Sequence, residues 1–570
     1  MKKSTKTISL LMSALITCGG LAACGDKGGA IKADPQTIVV KVRRAGFGTD
    51  WLYELKGKFE AAYAEQGYKV QIMTPDNSIK DNTLIQELAL GYEATNVDLY
   101  ISSGATPNQV GELGDYGVLV EDLESLYNQK AISYDGTEEE KTLREKLGED
   151  VLSYMTDSTG KIYAYNWAQA SAGLVVNTRK LARYGLELPK TTNEMFDCFD
   201  KIYCGYNGVE NSIESGTYPI TYISGGNGYG VCFLYAMMAQ YGVDEWNTFW
   251  TFQTKDENGE TVNLSDEACQ ELFDDPMLEE MMKVAYRAFD LTIAAPGSAS
   301  QGVDQAQAKI MGDTDDAVFM FNGDWMLNEV KLNYEEELGD IDFIAFPVLS
   351  AVGTKVFGDR YDEATCEELL SFIVGLVDEN KTLEEIVAAV KQEKGKDITA
   401  DDAAAVAKSR GVTYARGPEH IAYVTKGTTK MDIVSLFLRM MASDDYGETF
   451  SRTANGTSPY CAVENTTSPY AFVKNASKIP VNRYYSQVST FGGLKGYRGQ
   501  STLMNIFTTK GHIPDYVASE STASIYTDEG TRKEGETIAV YETAAKNFLA
   551  AEKANVILNW NSYFSITGSK

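Results

Sequence analysis

TIVVKV at residues 37–42 and YKVQIM at residues 68–73 enclose the segment WLYELKGKFEAAYA at residues 51–64. The first and third segments are short and rich in strand-forming residues, whereas the second repeats apolar residues at helical spacing. A further helix is predicted near residues 81–90, and a further strand at residues 97–102. Strands that alternate with helices predict an α/β fold with a mostly parallel sheet.

The loops that follow the predicted strands are the first candidates for a functional site. Ligands of such sheets bind beyond the carboxyl ends of the strands. The candidates in these loops are Phe47, Asp50, Trp51, Asp76, Asn77, Ser102 and Ser103. Each has a structural alternative, because Trp51 can pack beneath its own helix and Asp50 can be a helix N-cap. The other polar residues are ordinary turn formers.

The amino terminus predicts a lipoprotein signal. Basic residues precede an apolar run at residues 8–16, and Leu-Ala-Ala-Cys follows at residues 21–24. We therefore expect residues 1–23 to be removed, Cys24 to carry the lipid, and residues 24–36 to form a tether. A plain secretion signal with a coincidental cysteine is the alternative. With Cys24 as its only membrane anchor, the protein is expected on the extracellular face of the cell membrane.

Composition narrows the class of protein. The chain has 570 residues, a formal net charge of −30 and 44% hydrophobic residues. This length predicts roughly two to four domains, and the acidity opposes binding to nucleic acid or anionic lipid. With only two histidines and no CxxC pair, no catalytic, metal or cofactor site is predicted. Cys198 and Cys204 could form a disulfide or remain free thiols.

Several motifs, in a consistent order, resemble those of a known family. They are ASAGLVVN at 170–177, KLARYGL at 180–186, PKT at 189–191 and AVFMFNGDW at 317–325. Together with Asp98 at a strand start and the lipoprotein signal, they are similar to the signature of family 1 extracellular solute-binding proteins. Members of this family are substrate receptors of ABC importers, commonly for carbohydrates. Members from Gram-positive bacteria are lipid-anchored, and a Gram-positive bacterium is therefore the expected source of this chain.

The resemblance implies a two-lobed, periplasmic-binding-protein-like fold that closes around its ligand at a hinge. Each lobe would be a mostly parallel sheet flanked by helices, and the chain would cross between lobes near residues 165–170, 347–418 and 455. The implied parts are an N-terminal lobe at 37–167 plus 418–455, a C-terminal lobe at 168–347 plus 456–570, and a small helical insertion at 348–417.

The resemblance adds candidate ligand contacts in and beyond the first crossing. A sugar needs flat aromatic surfaces against its C–H faces and fixed polar groups for its hydroxyls. Trp167 lies in the crossing, and Trp325 follows a strand, although Trp325 could instead fill the core of its lobe. The glycine-rich loop before residue 230 lacks the phosphate-loop pattern. The added candidates are Trp167, Asn227, Tyr229, Asp324 and Trp325.

The function expected from these patterns is capture of a carbohydrate, most simply an oligosaccharide, for delivery to an ABC permease. The protein would act as a monomer and would leave the sugar intact. Arg43 and Arg44 could clamp an acidic sugar, but solvated charge is the simpler interpretation. Two alternatives remain. One is a lipid-anchored glycan-degrading enzyme with two carboxylates about 5–10 Å apart; the other is a surface carbohydrate receptor without a transport role.

Overall fold

A computed structural model describes residues 34–43, 46–73, 81–102, 119–153, 155–156, 160–223, 229–312, 316–412, 420–481 and 523–565. The strands, numbered in chain order, are β1 Thr37–Val42, β2 Lys69–Met73, β3 Leu99–Ile101, β4 Lys130–Ile132, β5 Glu138–Thr142, β6 Tyr165–Asn166, β7 Ala172–Asn177, β8 Tyr218–Thr221, β9 Gln253–Lys255, β10 Thr261–Asn263, β11 Ala317–Gly323, β12 Ile341–Ile344 and β13 Ile421–Val424.

The α-helices are numbered in the same way. They are α1 Asp50–Ala62, α2 Asp81–Leu90, α3 Tyr92–Thr95, α4 Glu124–Tyr127, α5 Leu143–Leu147, α6 Glu149–Ser153, α7 Thr178–Arg183, α8 Thr192–Cys204, α9 Ser212–Ser215, α10 Gly230–Tyr241, α11 Val243–Thr251, α12 Asp266–Glu271, α13 Pro276–Ala288, α14 Val303–Met311, α15 Met326–Val330, α16 Ala351–Phe357, α17 Glu363–Asp378, α18 Leu383–Ala389, α19 Ala400–Arg410, α20 Met431–Met441, α21 Asp444–Ala454, α22 Ala471–Val481 and α23 Ala539–Ser565.

The N-terminal lobe is built on a five-stranded sheet in the order β2-β1-β3-β13-β6. Strands β1, β2 and β3 are parallel, with Val40 opposite Leu99. Strand β13 is antiparallel to both of its neighbours, β3 and β6. Helices α1, α20 and α21 pack against this lobe and supply buried apolar residues to its core.

The C-terminal lobe is built on a four-stranded sheet in the order β12-β7-β11-β8. Leu174 and Val176 of β7 enter one apolar cluster, whereas Val175 between them enters a second cluster. Phe319 and Met320 of β11 divide between the clusters in the same way. Because both faces of this sheet are covered, its strands are continuous apolar runs rather than alternating ones.

Among the described strands of each lobe, one central strand is antiparallel to its neighbours. Strand β7 follows the chain's entry into the C-terminal lobe, and β13 follows its return to the N-terminal lobe. The chain enters each sheet at the edge where its other strands end, so the entering strand must be antiparallel to its neighbours. The strands of each sheet otherwise share one direction. The fold is a two-lobed, periplasmic-binding-protein-like α/β fold.

The predicted insertion is helical and belongs physically to the C-terminal lobe. Helices α16 to α19 lie within it, and their apolar residues join the same cluster as α10 and α13. The capping boxes predicted at Thr382 and Thr399 are present. Gly395, with φ +64°, ends the π-helical segment Val390–Lys394 that follows α18. The long helix α23 packs along α13, and Tyr541 donates to Asp290 at 2.7 Å.

The structure corrects some local expectations and decides one question that the sequence left open. Asp50 is the first residue of α1 rather than its N-cap, because Thr49 occupies the cap position. Cys198 and Cys204 are free thiols. Both lie on α8, where six residues of helix separate their Cα atoms by about 9 Å, which is too far for a disulfide. The N-terminal core also continues to Tyr460, beyond the predicted boundary at residue 455.

Within the described ranges, none of the helices combines the length and the apolar character that crossing a membrane requires.

Candidate functional site at the junction of the two lobes

The loops at the facing edges of the two sheets form the junction between the lobes. Strand β6 ends at Asn166 and β7 begins at Ala172, so the chain passes from one sheet to the other within a few residues. A later crossing runs beside this one, because the Gln169 backbone N–H donates to the Thr457 carbonyl at 2.9 Å. Carboxyl ends of strands from both lobes therefore face one another, which is where ligands of open α/β sheets bind.

An aromatic cluster lies beneath the N-terminal side of this junction. The rings of Trp51 and Trp167 stack with centroids 5.1 Å apart, and Phe47 meets Trp167 edge-on at 6.1 Å. Phe450 and His420 complete the cluster. The exposed fractions of Trp51 and Trp167 are 0% and 1%, which leaves no ring surface for a ligand.

The predicted ligand contacts at Phe47, Trp51 and Trp167 are therefore corrected to core positions. The indole N–H of Trp167 donates to the Ser102 carbonyl at 2.8 Å, and that of Trp51 donates to the Gly48 carbonyl at 3.1 Å. Both buried polar groups are satisfied within the protein. Trp51 thus packs beneath its own helix, the structural alternative that its sequence position allowed.

Tyr229 brings accessible aromatic surface to the junction itself, and the ring of Trp325, which is 6% exposed, packs against it. Their ring centroids are 5.0 Å apart. Trp325 follows β11 of the C-terminal lobe but packs into the N-terminal core. It lies so close to Gly46 that a Cβ added at Gly46 would be 3.2 Å from the Cβ of Trp325. Tyr229 is half-buried and touches apolar clusters of both lobes. Of these two, Tyr229 keeps the larger accessible surface.

Three polar side chains around the junction have a buried oxygen with no hydrogen-bond partner among the described residues. They are Oγ of Ser102, Oγ of Ser171 and Oδ1 of Asp324. A buried polar group left unpaired costs about 1–3 kcal/mol. A polar ligand or an ordered water that reached these groups would restore the missing hydrogen bonds.

Asp324 is the acidic residue at the junction whose pKa is shifted most. Its backbone N–H donates to the Ser171 carbonyl at 2.9 Å, which ties the end of β11 to the start of β7. Burial raises the pKa of the Asp324 carboxyl to about 8, although backbone N–H groups of Ser171 and Trp325 oppose this shift. The raised pKa favours the protonated form of this carboxyl near neutral pH, and a protonated carboxyl can donate as well as accept a hydrogen bond.

The other candidates are either exposed or outside the described residues. Asp50 is exposed in the first turn of α1. Asp76, Asn77, Ser103, Asn227 and the lipidation residue Cys24 fall outside the described ranges, so their predicted roles stay predictions.

Sequence reasoning assigned no role to Ser171 or Asn328, and it predicted residue 455 only as a crossing between the lobes. Ser171 stands directly before β7 inside the quoted motif, so its position at a strand start was a usable signal. Asn455 donates to the Asn328 side chain at 3.0 Å and has φ +48°, a conformation that asparagine tolerates better than most residues. This pairing ties α15 to the end of α21, and no local sequence pattern announces it.

The described junction combines aromatic rings with polar groups that can hydrogen-bond an uncharged molecule. Within the described residues, no group of three or more His, Cys, Asp or Glu side chains is placed to hold a metal ion. Aromatic surface from Tyr229 and Trp325 lies with hydroxyl and carboxyl groups that lack partners. Such an arrangement stacks and hydrogen-bonds a ligand that carries both C–H faces and hydroxyls.

No family model and no curated protein matches the chain. Among solved structures it is similar to a probable secreted solute-binding lipoprotein from Streptomyces coelicolor, at 12% identity and a TM-score of 0.49, over 90% of this chain and 98% of that one. The corresponding values for the apo form of RafE from Streptococcus pneumoniae are 14%, 0.49, 91% and 99%. For the Thermus thermophilus maltotriose binding protein they are 13%, 0.45, 91% and 100%.

These likenesses, with TM-scores below 0.5, assign neither a family nor a ligand. The two-lobed fold is established by the strand order and lobe cores of the chain itself.

Proposed function

We propose that this protein is a lipid-anchored, extracellular substrate-binding protein that captures a carbohydrate by lobe closure and delivers it to an ABC permease. The observation that supports this proposal best is the junction itself. There, the facing edges of two sheets bring the aromatic pair Tyr229 and Trp325 together with unpartnered oxygens of Ser102, Ser171 and Asp324.

The chemistry of a sugar matches this set of groups. A sugar ring offers apolar C–H faces to an aromatic ring and hydroxyls to buried polar groups, which must replace the water that the sugar loses. The protonated Asp324 carboxyl can donate to one hydroxyl oxygen and accept from another hydroxyl. Each such bond satisfies a group that otherwise lacks a partner, so binding is favoured most in the closed form.

The connections between the lobes suit a hinge. The crossings at Gln169 and Thr457 are single extended segments held side by side by one backbone hydrogen bond. A few such residues can absorb a change of backbone angle while each lobe keeps its own core. Because ligand contacts from both lobes exist only when the lobes are closed, ligand binding would shift the population toward the closed form.

Calorimetric titration of the mature protein with neutral oligosaccharides tests the binding step. Maltotriose and raffinose are suitable first probes, and the panel extends to plant, host and bacterial oligosaccharides. We expect saturable binding of at least one sugar and a smaller radius of gyration in solution scattering when it is bound. Chromatography of the sugar after incubation should return it intact; appearance of shorter products would favour the glycan-degrading enzyme.

A pair of tyrosine variants tests whether the junction is the binding site. Tyr229→Ala should weaken binding of whichever sugar the wild type binds by about 1 kcal/mol, since stacking contributes about this amount. Tyr206→Ala is the matched control, because Tyr206 is an exposed tyrosine of the same lobe packed beneath Lys201. Equal affinities for both variants and the wild type would remove the junction as the site.

Anchoring is tested separately. Cys24→Ser should move the protein from the membrane fraction to the culture medium and abolish incorporation of labelled palmitate. Retention in the membrane would contradict the anchor but not the sugar-binding proposal. Monomeric behaviour is checked by light scattering of the soluble mature chain.

A further inference from the structure

Helix α15 of the C-terminal lobe contacts the N-terminal lobe directly. Met326, Leu327 and Val330 of this helix are buried in an apolar cluster of the C-terminal lobe. The ring of Trp325, directly before the helix, instead enters the core of the N-terminal lobe. The helix is therefore fixed in one lobe, and the residue before it reaches into the other.

One helical turn after Trp325, Asn328 makes two hydrogen bonds to the opposite lobe. Its side-chain N–H donates to the carbonyl of Ala454, the last residue of α21. Its side-chain oxygen accepts from the side chain of Asn455 at 3.0 Å. Because residues three apart lie on the same face of a helix, Trp325 and Asn328 meet the N-terminal lobe together.

The N-terminal side of this contact is held in its own lobe. Asn455 ends α21 with φ +48°, the left-handed conformation that often closes a helix. The next residue, Gly456, packs so closely on the aromatic cluster that an added Cβ would lie 2.7 Å from the Phe450 ring and 2.8 Å from the Phe47 ring. Asn455 therefore cannot follow α15 when the lobes move apart, and the hydrogen bonds between them must break.

The contact extends beyond the crossing segments. Asn455 lies two residues before Thr457, whose carbonyl joins the two crossings. Away from the crossings, the start of α15 approaches the loop after β1. A Cβ added at Gly46 of that loop would lie 3.2 Å from the Cβ of Trp325 and 3.4 Å from Oε1 of Glu329. A rotation about the crossings cannot keep all these contacts, so opening of the lobes separates α15 from the N-terminal lobe.

We propose that Asn328 and Asn455 form an interlobe clasp, and that these positioning residues hold the lobes in the arrangement that binds the ligand. Each hydrogen bond should change the ratio of closed to open protein about fivefold, the equivalent of about 1 kcal/mol. A ligand that binds between the lobes gains affinity from any contact that favours the closed form. This effect on the ligand rests on the proposed function, whereas the hold on the lobes does not.

Asn328→Ala and Asn455→Gly in the mature protein remove the clasp while suiting the local backbone. Alanine is the best helix former, and glycine adopts a positive φ more readily than asparagine. The midpoint of thermal unfolding should therefore stay close to that of the wild type. Asn333→Ala is the matched control, because Asn333 is an exposed asparagine just after α15.

Amide hydrogen exchange measures the opening of the lobes without any ligand. We expect exchange about fivefold faster for each hydrogen bond lost, on both sides of the contact, in α15 and at residues 46–49. The double variant should match Asn328→Ala alone, since that exchange already removes both bonds. Solution scattering should show a larger radius of gyration for these variants than for Asn333→Ala.

A wedge on the opposite lobe tests the same contact. Gly46→Leu should push α15 away from the N-terminal lobe and speed exchange on both sides. Gly57→Leu is its control, because no heavy atom lies within 4 Å of a Cβ added at Gly57. Faster exchange confined to α15 would mean local fraying of that helix and would overturn the clasp, as would unchanged exchange in all variants.

Calorimetric titration then measures the effect of the clasp on the ligand. Asn328→Ala should weaken binding of whichever sugar the wild type binds, by up to the factor that hydrogen exchange gives for loss of the closed form. Unchanged affinity in a variant with faster exchange would overturn the role of the clasp in binding. Absence of sugar binding by the wild type would instead contradict the proposed function, and exchange and scattering would still decide whether the clasp holds the lobes.

Discussion

Replacing Trp167 with alanine should destabilise the N-terminal lobe rather than act directly on ligand contacts. The Trp167 side chain is 1% exposed, stacks on Trp51 at 5.1 Å and donates to the Ser102 carbonyl at 2.8 Å. Removing a buried tryptophan side chain typically costs about 3–5 kcal/mol through lost burial and the cavity left behind. The loss includes one hydrogen bond of about 1 kcal/mol and leaves the Ser102 carbonyl without its donor.

Urea unfolding followed by far-ultraviolet circular dichroism measures this effect without relying on tryptophan fluorescence. Trp167→Phe keeps an aromatic ring in the cluster and loses the hydrogen bond, so its cost should be smaller, about 1–2 kcal/mol. Trp246→Ala, at a buried position of the C-terminal lobe, serves as a control of similar volume change. An unchanged unfolding transition together with weakened sugar binding would refute a core role and make Trp167 a ligand contact.

Three further predictions concern buried groups and close approaches. The Lys430 ammonium lies 3.1 Å from the Asp98 carboxylate and joins β13 and α20 to the first strands. Lys430→Met should lower the free energy of unfolding in urea by about 3–5 kcal/mol, because it leaves the buried Asp98 charge unpaired. Part of this loss should return when Asp98→Asn is added, and no recovery would contradict the pairing. Burial raises the pKa of Asp324 from 3.8 to about 8, so the folded state keeps a proton that the unfolded state releases. Stability should therefore fall as pH rises between these values. Thermal unfolding at pH 5 and pH 8 should show a smaller fall in stability for Asp324→Asn than for the wild type. Equal falls in the two proteins would argue against the raised pKa. A Cβ added at Gly173 would lie 2.5 Å from a carbonyl oxygen of β12, so Gly173→Ala should lower the thermal stability by about 1–3 kcal/mol, whereas Gly57→Ala on open helix surface should raise it by about 0.5–1 kcal/mol.

The elements of the first lobe were predictable because their signals are local. The strand at residues 37–42 and the helix at residues 81–90 have the predicted bounds. The capping boxes of the insertion were also predictable, since four consecutive residues contain the whole motif. Strand direction was harder to predict from the sequence. The reversal of β7 and β13 follows from the point where the chain enters each sheet, which depends on how the chain crosses between lobes.

The aromatic candidates show where sequence reasoning stopped. Trp51 and Trp325 each lie where a helix begins after a strand, so their local patterns are alike. Trp51 is covered by Trp167 and Phe450, the latter about four hundred residues away in the chain. Trp325 instead packs into the core of the opposite lobe and contacts Tyr229 of its own lobe. Only the packing of distant segments decides which core a ring enters and how much of its surface stays accessible.

The amino-acid sequence alone determined the alternation of strands and helices, the helical character of the insertion and the order of the motifs, because hydrophobic period and capping act over a few residues. Tertiary structure alone decided which aromatic rings are covered, which hydroxyl and carboxyl oxygens lack partners, and which side chains hydrogen-bond across the two lobes. These properties depend on contacts between residues far apart in the chain, and burial in such contacts sets both the accessible surface and the pKa of Asp324.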